Sequence, residues 1–168
     1  MSDKTTPMRI ALLTISDACL RGERQDSSGD AIVAWATSRQ AALTARELVA
    51  DETVDIVRTL AEWCDRDVAD LILTTGGTGL APRDVTPEAT RSVIEREAQG
   101  IAEELRRHGT ASTPYAVLSR GLAGVRNKTL IVNLPGSPKG VEDSLKVLTP
   151  LVDHAIKLIR GESTSHAV

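Results

Sequence analysis

Aromatic rings are almost absent from this chain. Trp35, Trp63 and Tyr115 make up its 2% of aromatic residues, and there is no phenylalanine. That excludes a base-stacking platform for single-stranded nucleic acid and leaves the core to Leu, Ile, Val and Ala. An excess of one charge is missing too: 20 Lys and Arg stand against 23 Asp and Glu, a formal net charge of −3. No basic field therefore marks nucleic acid or anionic lipid as the main partner. The two cysteines, Cys19 and Cys64, form no CxxC pair, and the three histidines, His108, His154 and His166, form no HxxxH or HxE pattern, which argues against zinc. No apolar run approaches the roughly 18 residues of a membrane helix, and the polar opening Met1–Pro7 carries no apolar signal core. These absences point to a soluble, reduced, cytoplasmic protein with neither membrane nor nucleic acid as partner. Its 168 residues favour a single domain that buries roughly 70% of its unfolded surface.

What is present is an alternation of strand and helix signals over residues 8–160, flanked by polar ends (1–7 and 161–168) that read as flexible termini. Arg9–Ser16, Asp70–Thr75 and Thr129–Leu134 read as buried strands, and Leu43–Val49 as a weaker one. Helical patterns cover Gly29–Arg39, the segment from Asp51 through Val54, Val57, Leu60 and Cys64, the Thr86-Pro87-Glu88 start, and Ile101–His108. A last helix starts near Ser137-Pro138 and runs to Ile159, with Pro150 expected to kink or split it. Residues 110–128 show no clear pattern beyond a helical tendency at Tyr115–Ser119, and Asp17–Ser28 reads as a long polar loop. Strands alternating with helices predict a three-layer α/β/α domain with a mostly parallel sheet. Ligands of such sheets lie beyond the carboxyl ends of the strands. The loops at Asp17, Gly76–Gly79 and Asn133–Ser137 are thus predicted to share one cleft.

Each loop admits a chemical and a plain structural reading. Gly76-Gly77-Thr78-Gly79 tolerates positive φ and leaves backbone N–H groups uncovered for phosphate oxygens; a tight turn would use the same residues. It matches neither GxxxxGK[ST] nor GxGxxG. Asp84 beside it suits Mg²⁺, which takes one or two carboxylates plus phosphate oxygens, or else a helix N-terminal cap. Asp51 carries the same pair of readings. Pro135–Gly140 joins a strand to a helix start whose N–H groups, with Lys139, suit a further anionic group. Arg21, Arg24, Asp26, Ser27 and Ser28 are either ligand contacts or solvated charges. His108 and His154 belong on helix surfaces, and Trp35, Trp63 and Cys64 belong to packing. The residues alone support a polyanion site at the strand ends, with Mg²⁺ and two aspartates as its candidate machinery.

Several ordered motifs also carry a resemblance. Leu73–Gly79 (LTTGGTG) with Arg83–Ala89 (RDVTPEA), Thr14–Asp17 with Asp26–Gly29, Leu118-Ser119-Arg120, and Val125–Gly140 (VRNKTLIVNLPGSPKG) are similar to the signature of the molybdopterin adenylyltransferase family. That family includes bacterial MogA and MoaB proteins and the G domain of gephyrin. The resemblance spans about residues 8–160 and implies a trimeric α/β enzyme that converts ATP and molybdopterin into adenylyl-molybdopterin and pyrophosphate with Mg²⁺. It implies catalytic and metal-holding roles for Asp51 and Asp84. Substrate and nucleotide binding would fall to Ser16, Asp17, Thr75, Gly76, Gly77, Thr78, Gly79, Asn133, Pro135, Gly136, Ser137 and Lys139. The pterin would lie near the Pro-Gly-Ser-Pro-Lys turn and the nucleotide phosphates near the glycine loop, with the product passed to a molybdenum-insertion protein. Three alternatives stay open: a MoaB-like paralogue that binds molybdopterin without efficient adenylylation, a non-catalytic scaffold module, and a hydrolase of nucleotide pyrophosphates.

Overall fold

The structure, a computed structural model, describes residues 6–162; of the ends expected to be loose, 1–7 and 161–168, residues 1–5 and 163–168 lie outside the described residues. Strands β1 (Arg9–Ile15), β2 (Ala42–Val49), β3 (Leu71–Thr75), β4 (Arg96–Glu97), β5 (Ala123–Arg126) and β6 (Thr129–Leu134) form one six-stranded sheet in the order β2-β1-β3-β6-β5-β4. The first four strands of that order are parallel, as expected. β5 is antiparallel to β6, and β4 is antiparallel to β5. Asn127, at φ 51°, makes the tight β5–β6 turn, the left-handed conformation that Asn tolerates well.

Side chains of a strand alternate between faces, and here both faces are covered. Ile10 and Leu12 of β1, Leu71 and Leu73 of β3, and Leu130 and Val132 of β6 pack against α2 (Ser27–Ser38), α6 (Pro138–Leu148) and α7 (Val152–Ile159). Leu13, Ile15, Ile72 and Ile131 face the opposite layer of α3 (Thr53–Asp65) and α4 (Thr86–Val93). Burial on both sides is why these strands read as unbroken apolar runs. Trp63 and Cys64 lie in the second layer and Trp35 packs on the first, as expected of packing residues. Burial pushes the Cys64 thiol up to about 11.

Two expectations need correction. The polar stretch 17–28 contains a short helix, α1 (Asp17–Leu20), and the first turn of α2. Both starts are capped: Ser16 Oγ accepts from the Cys19 N–H (3.2 Å) and Asp26 Oδ1 from the Gly29 N–H (2.9 Å). The stretch without pattern, 110–128, holds a short 3-10 helix (Pro114–Leu118) and β5, and α5 before it (Gln99–Gly109) is longer than expected. At the other end, the long final helix is split at Pro150 into α6 and α7, because proline cannot donate the next helical hydrogen bond.

At the amino edge of the sheet, Asp70 is buried beneath Arg9 and Arg160, with N–O distances of 2.9 and 2.7 Å, and also accepts from the Arg9 N–H at 2.8 Å. Burial pushes this carboxyl up, but the hydrogen bonds from Arg9 and Arg160 outweigh it and hold the group below its ordinary 3.8. A carboxylate depressed in the folded state contributes stability above its unfolded pKa and loses it as pH falls through the folded value. Asp70→Ala is expected to cost about 3 kcal/mol at pH 7. In urea denaturation this penalty should shrink steadily once the pH drops below 3.8.

Candidate active site

The loops after β1, β3 and β6 meet through backbone rather than side chains. Beyond Thr75, Gly76 and Gly77 adopt φ of 99° and 65°, in the left-handed region where glycine carries no steric penalty. A Cβ on Gly76 would lie 2.2 Å from the Ile15 carbonyl oxygen, and one on Gly136 only 3.3 Å from Gly76 Cα. Thr75 Oγ1 donates to the Pro135 carbonyl (2.6 Å), and Thr86 Oγ1 donates to that of Gly76 (2.9 Å). Arg24 and Ser28 Oγ both donate to the Gly136 carbonyl, at 3.1 and 2.9 Å. The convergence expected of the three loops is therefore present, and Arg24 and Ser28 of the polar stretch help to lock it.

Asp17 and Asp51 hold each other. The Asp17 N–H donates to Asp51 Oδ2 (2.8 Å) and the Asp51 N–H to Asp17 Oδ1 (3.0 Å). Arg83 donates to Asp17 at 2.6 and 3.2 Å and to Glu52 at 2.9 Å, tying the segment before Asp84 to the loop after β2. Arg83 holds the Asp17 carboxyl below its ordinary range, whereas burial, reinforced by the charges of Asp17 and Asp84, pushes that of Asp51 up. Neither aspartate caps the helix that follows it, since the N-cap residues of α3 and α4 are Glu52 and Val85 and make no side-chain cap bond. The plain reading holds in another form for Asp51, which accepts from the N–H of Asp17, the first residue of α1. Asp84 instead accepts from the Ala81 N–H of its own loop at 2.9 Å.

Two clefts, of about 660 and 620 Å³, open on either side of this junction. The first is walled by Leu80, Ala102, Leu105, Ala116 and Leu118, with Thr78, Gly79, Pro135 and Lys139. The second is lined by Ser16, Cys19, Asp26, Asp51, Thr75 and Gly76. Gly77, Asp84, Gly136 and Ser137 line both, so they form the saddle between them.

The remaining expected residues divide into those presented to the clefts and those spent on the frame. Ser137 Oγ caps α6 by accepting from the Gly140 N–H (3.1 Å). Lys139 Nζ rests 2.6 Å from the buried carboxylate of Asp143, which also accepts from Ser112 Oγ (2.6 Å) and Lys146 (3.2 Å); Lys139 and Ser112 hold it far below the ordinary carboxylate range. Asn133 lines the first cleft, but its amide is buried and engaged. It donates to Thr74 and Thr90 Oγ1 (2.9 Å each) and accepts from the Leu122 N–H (3.2 Å). Thr78 is buried as well. Sequence reasoning missed Ser112 and Asp143, which lie in the patternless stretch and inside a helix, and it assigned no role to Arg120 of the Leu-Ser-Arg motif.

Among the described residues no cluster of three or more His, Cys, Asp or Glu side chains is arranged to hold a metal. The donor set at the saddle is smaller: Asp84, with Asp51 in the adjoining cleft, beside a glycine turn where a Cβ on Gly77 would sit 3.2 Å from Asp51 Oδ1. That set fits Mg²⁺ completed by phosphate oxygens and water and suits neither zinc nor a closed structural site.

Comparison with known proteins agrees with this geometry. A family model described as a probable molybdopterin binding domain matches residues 11–154. The molybdopterin adenylyltransferase of Helicobacter pylori J99 is 40% identical over 163 residues, covering 92% of this chain and 89% of that protein. The molybdopterin adenylyltransferase of Escherichia coli K12 is 42% identical over 144 residues, 83% of this chain and 72% of its own length. The Drosophila melanogaster molybdenum cofactor synthesis protein cinnamon is 43% identical over 92% of this chain, which spans only 26% of that longer protein. Among solved structures, the molybdopterin biosynthesis enzyme MoaB of Thermus thermophilus superimposes with a TM-score of 0.86 at 52% identity, over 92% of this chain and 98% of that one. With the family model and these relatives spanning nearly all of the sheet and its helices, this chain belongs to the molybdopterin-binding family of molybdenum cofactor biosynthesis proteins.

Proposed function

We propose that the protein is a molybdopterin adenylyltransferase, joining ATP and molybdopterin into adenylyl-molybdopterin with release of pyrophosphate. The observation that carries this reading is the saddle of Gly77, Asp84, Gly136 and Ser137 between two clefts large enough for one reactant each. A terminal phosphate oxygen of molybdopterin attacks the α-phosphorus of ATP. The new P–O bond forms as the bond from that phosphorus to the pyrophosphate oxygen breaks, and pyrophosphate leaves with the electron pair. No protein nucleophile is needed; the barrier lies in aligning two anions and screening their repulsion.

The chain's own residues address both tasks. The Gly76 N–H is spent on the Leu134 carbonyl (3.3 Å), which leaves the Gly77 N–H and that of Lys139 in the first turn of α6 to favour phosphate oxygens. The Lys139 ammonium, paired with Asp143, brings further N–H donors to the wall of the first cleft. The reciprocal Asp17–Asp51 hydrogen bonds and the Arg83 bridge fix the loops after β1, β2 and β3 relative to one another. The aliphatic wall of the first cleft suits a flat heterocycle and lowers the local dielectric around the charges. Asp51 and Asp84 would hold Mg²⁺, which when bound neutralises charge between the phosphates. A cytoplasmic homotrimer belongs to the same proposal. So does passage of the product to a molybdenum-insertion protein, a reading supported by cinnamon, in which the matched region is 26% of a longer protein.

A second reading, binding of molybdopterin without efficient adenylylation, is favoured by the 52% identity to a protein named MoaB. Both carboxylates at the paired clefts favour turnover. Incubating the protein with molybdopterin, ATP and Mg²⁺ is expected to release pyrophosphate only when the pterin is present; pterin binding without pyrophosphate would establish the second reading. Asp84→Asn is expected to lower kcat by about 100-fold or more with pterin affinity retained, and near-normal turnover would remove Asp84 from the chemistry. Lys139→Ala should instead raise KM by roughly tenfold, the scale of one lost charged hydrogen bond, with a smaller change in kcat.

A further inference from the structure

Arg120 lines neither cleft, yet it ties down the segment leading to Asp84 from one end to the other. Its own N–H donates to the Thr78 carbonyl at 2.8 Å. Its guanidinium donates through Nε to the Gly79 carbonyl (2.8 Å) and through an Nη to that of Asp84 (2.6 Å), and it pairs with Glu88 in the first turn of α4. Residues 80–83 between those carbonyls are exposed to solvent, and their internal ties are the two Asp84–Ala81 hydrogen bonds of 2.9 Å. On the far side Arg83 bridges to Asp17 and Glu52. The connection before β5 is itself held from below, where Arg106 donates to the carbonyls of Ser119 (3.2 Å) and Gly121 (2.8 Å). Arg120 therefore reaches from a fixed support to three points along a loop that lacks an apolar anchor.

We propose that Arg120 is the positioning residue for Asp84: its guanidinium spans the glycine loop and sets where the Asp84 carboxylate stands at the saddle, without touching either reactant. This rests on the adenylyltransferase reading for its kinetic readout but not for its structural one. The fork geometry matters more than the charge. A guanidinium presents fixed, divergent donors to several carbonyls at once, whereas an ammonium offers one compact point. Displacing a reacting or metal-holding group by about an ångström costs on the order of 100-fold in rate, so a loosened loop acts on kcat before it acts on binding.

The test compares the full-length wild type with Arg120→Ala, Arg120→Lys and Glu88→Gln by steady-state kinetics and amide hydrogen exchange. Arg120→Ala is expected to lower kcat about 10- to 100-fold while both KM values change by less than about threefold. Exchange at residues 77–84 should quicken while β1, β3 and β6 keep wild-type protection. Arg120→Lys should resemble the alanine variant, because charge alone does not span the loop, and Glu88→Gln should leave kcat within about twofold of wild type. The inference is overturned by an Arg120→Ala enzyme with unchanged kcat, by full recovery in Arg120→Lys, or by exchange that quickens across the sheet as well as the loop. An inactive wild type would sink the adenylyltransferase reading instead; the exchange pattern would still decide what Arg120 holds.

Discussion

The site rests on one close approach of backbone to backbone. Gly76 packs against the carbonyl of Ile15 on one side and against Gly136 on the other, so the ends of β1, β3 and β6 are nearer than side chains would allow. Parallel strands supply the direction, since their carboxyl ends face the same way. The glycines then let three loops close over those ends. Thr75, Thr86, Ser28 and Arg24 fasten the arrangement by donating to the carbonyls of Pro135, Gly76 and Gly136. Polar side chains here serve the loops, and the loops in turn present N–H groups and carboxylates to the clefts.

The division of labour among charges follows from that frame. Asp17, held below its usual range by Arg83, behaves as a fixed anion that braces the loop after β2. Asp51 is its counterpart, half-buried beside two other carboxylates and pushed up by burial and by them. A carboxylate in such a place gains most from a cation or a ring of donors arriving with a substrate. Asp84 stands on the saddle itself, at the end of an exposed loop strapped on both sides by arginines. Two clefts separated by so narrow a ridge suit a reaction in which two phosphates must meet in line, and they give the protein no need of a nucleophile of its own.

Legibility in the sequence followed burial. β1, β3 and β6 are covered on both faces, and their continuous apolar runs announced them. β2 is an edge strand with Leu43, Thr44, Arg46 and Glu47 exposed and its other residues half-buried, so its signal was weak. β4 and β5, of two and four residues, are too short to display a period; Asn127 before Thr129 was the available hint of their hairpin neighbour. In the 17–28 stretch the caps Ser16 and Asp26 are polar residues among polar residues, so helix starts read as loop. Glycines, the Pro-Gly-Ser-Pro turn and the aspartates were legible by residue type, and the family resemblance added weight to Asp51, whose own context is plain. Arg120 and Asp143 escaped because their partners are tertiary: the Gly79 carbonyl lies 41 residues from Arg120, and Ser112 lies 31 from Asp143. No local pattern encodes which carbonyl will stand opposite a guanidinium.

The most direct measurement is a crystal structure with adenylyl-molybdopterin bound. The expected density runs through both clefts, with the phosphoanhydride over Gly77, Asp84, Gly136 and Ser137 and a heterocycle to either side. A product molecule lying wholly within one cleft, or bound away from that ridge, would contradict the claim that backbone convergence at Gly76 exists to bring two anions together.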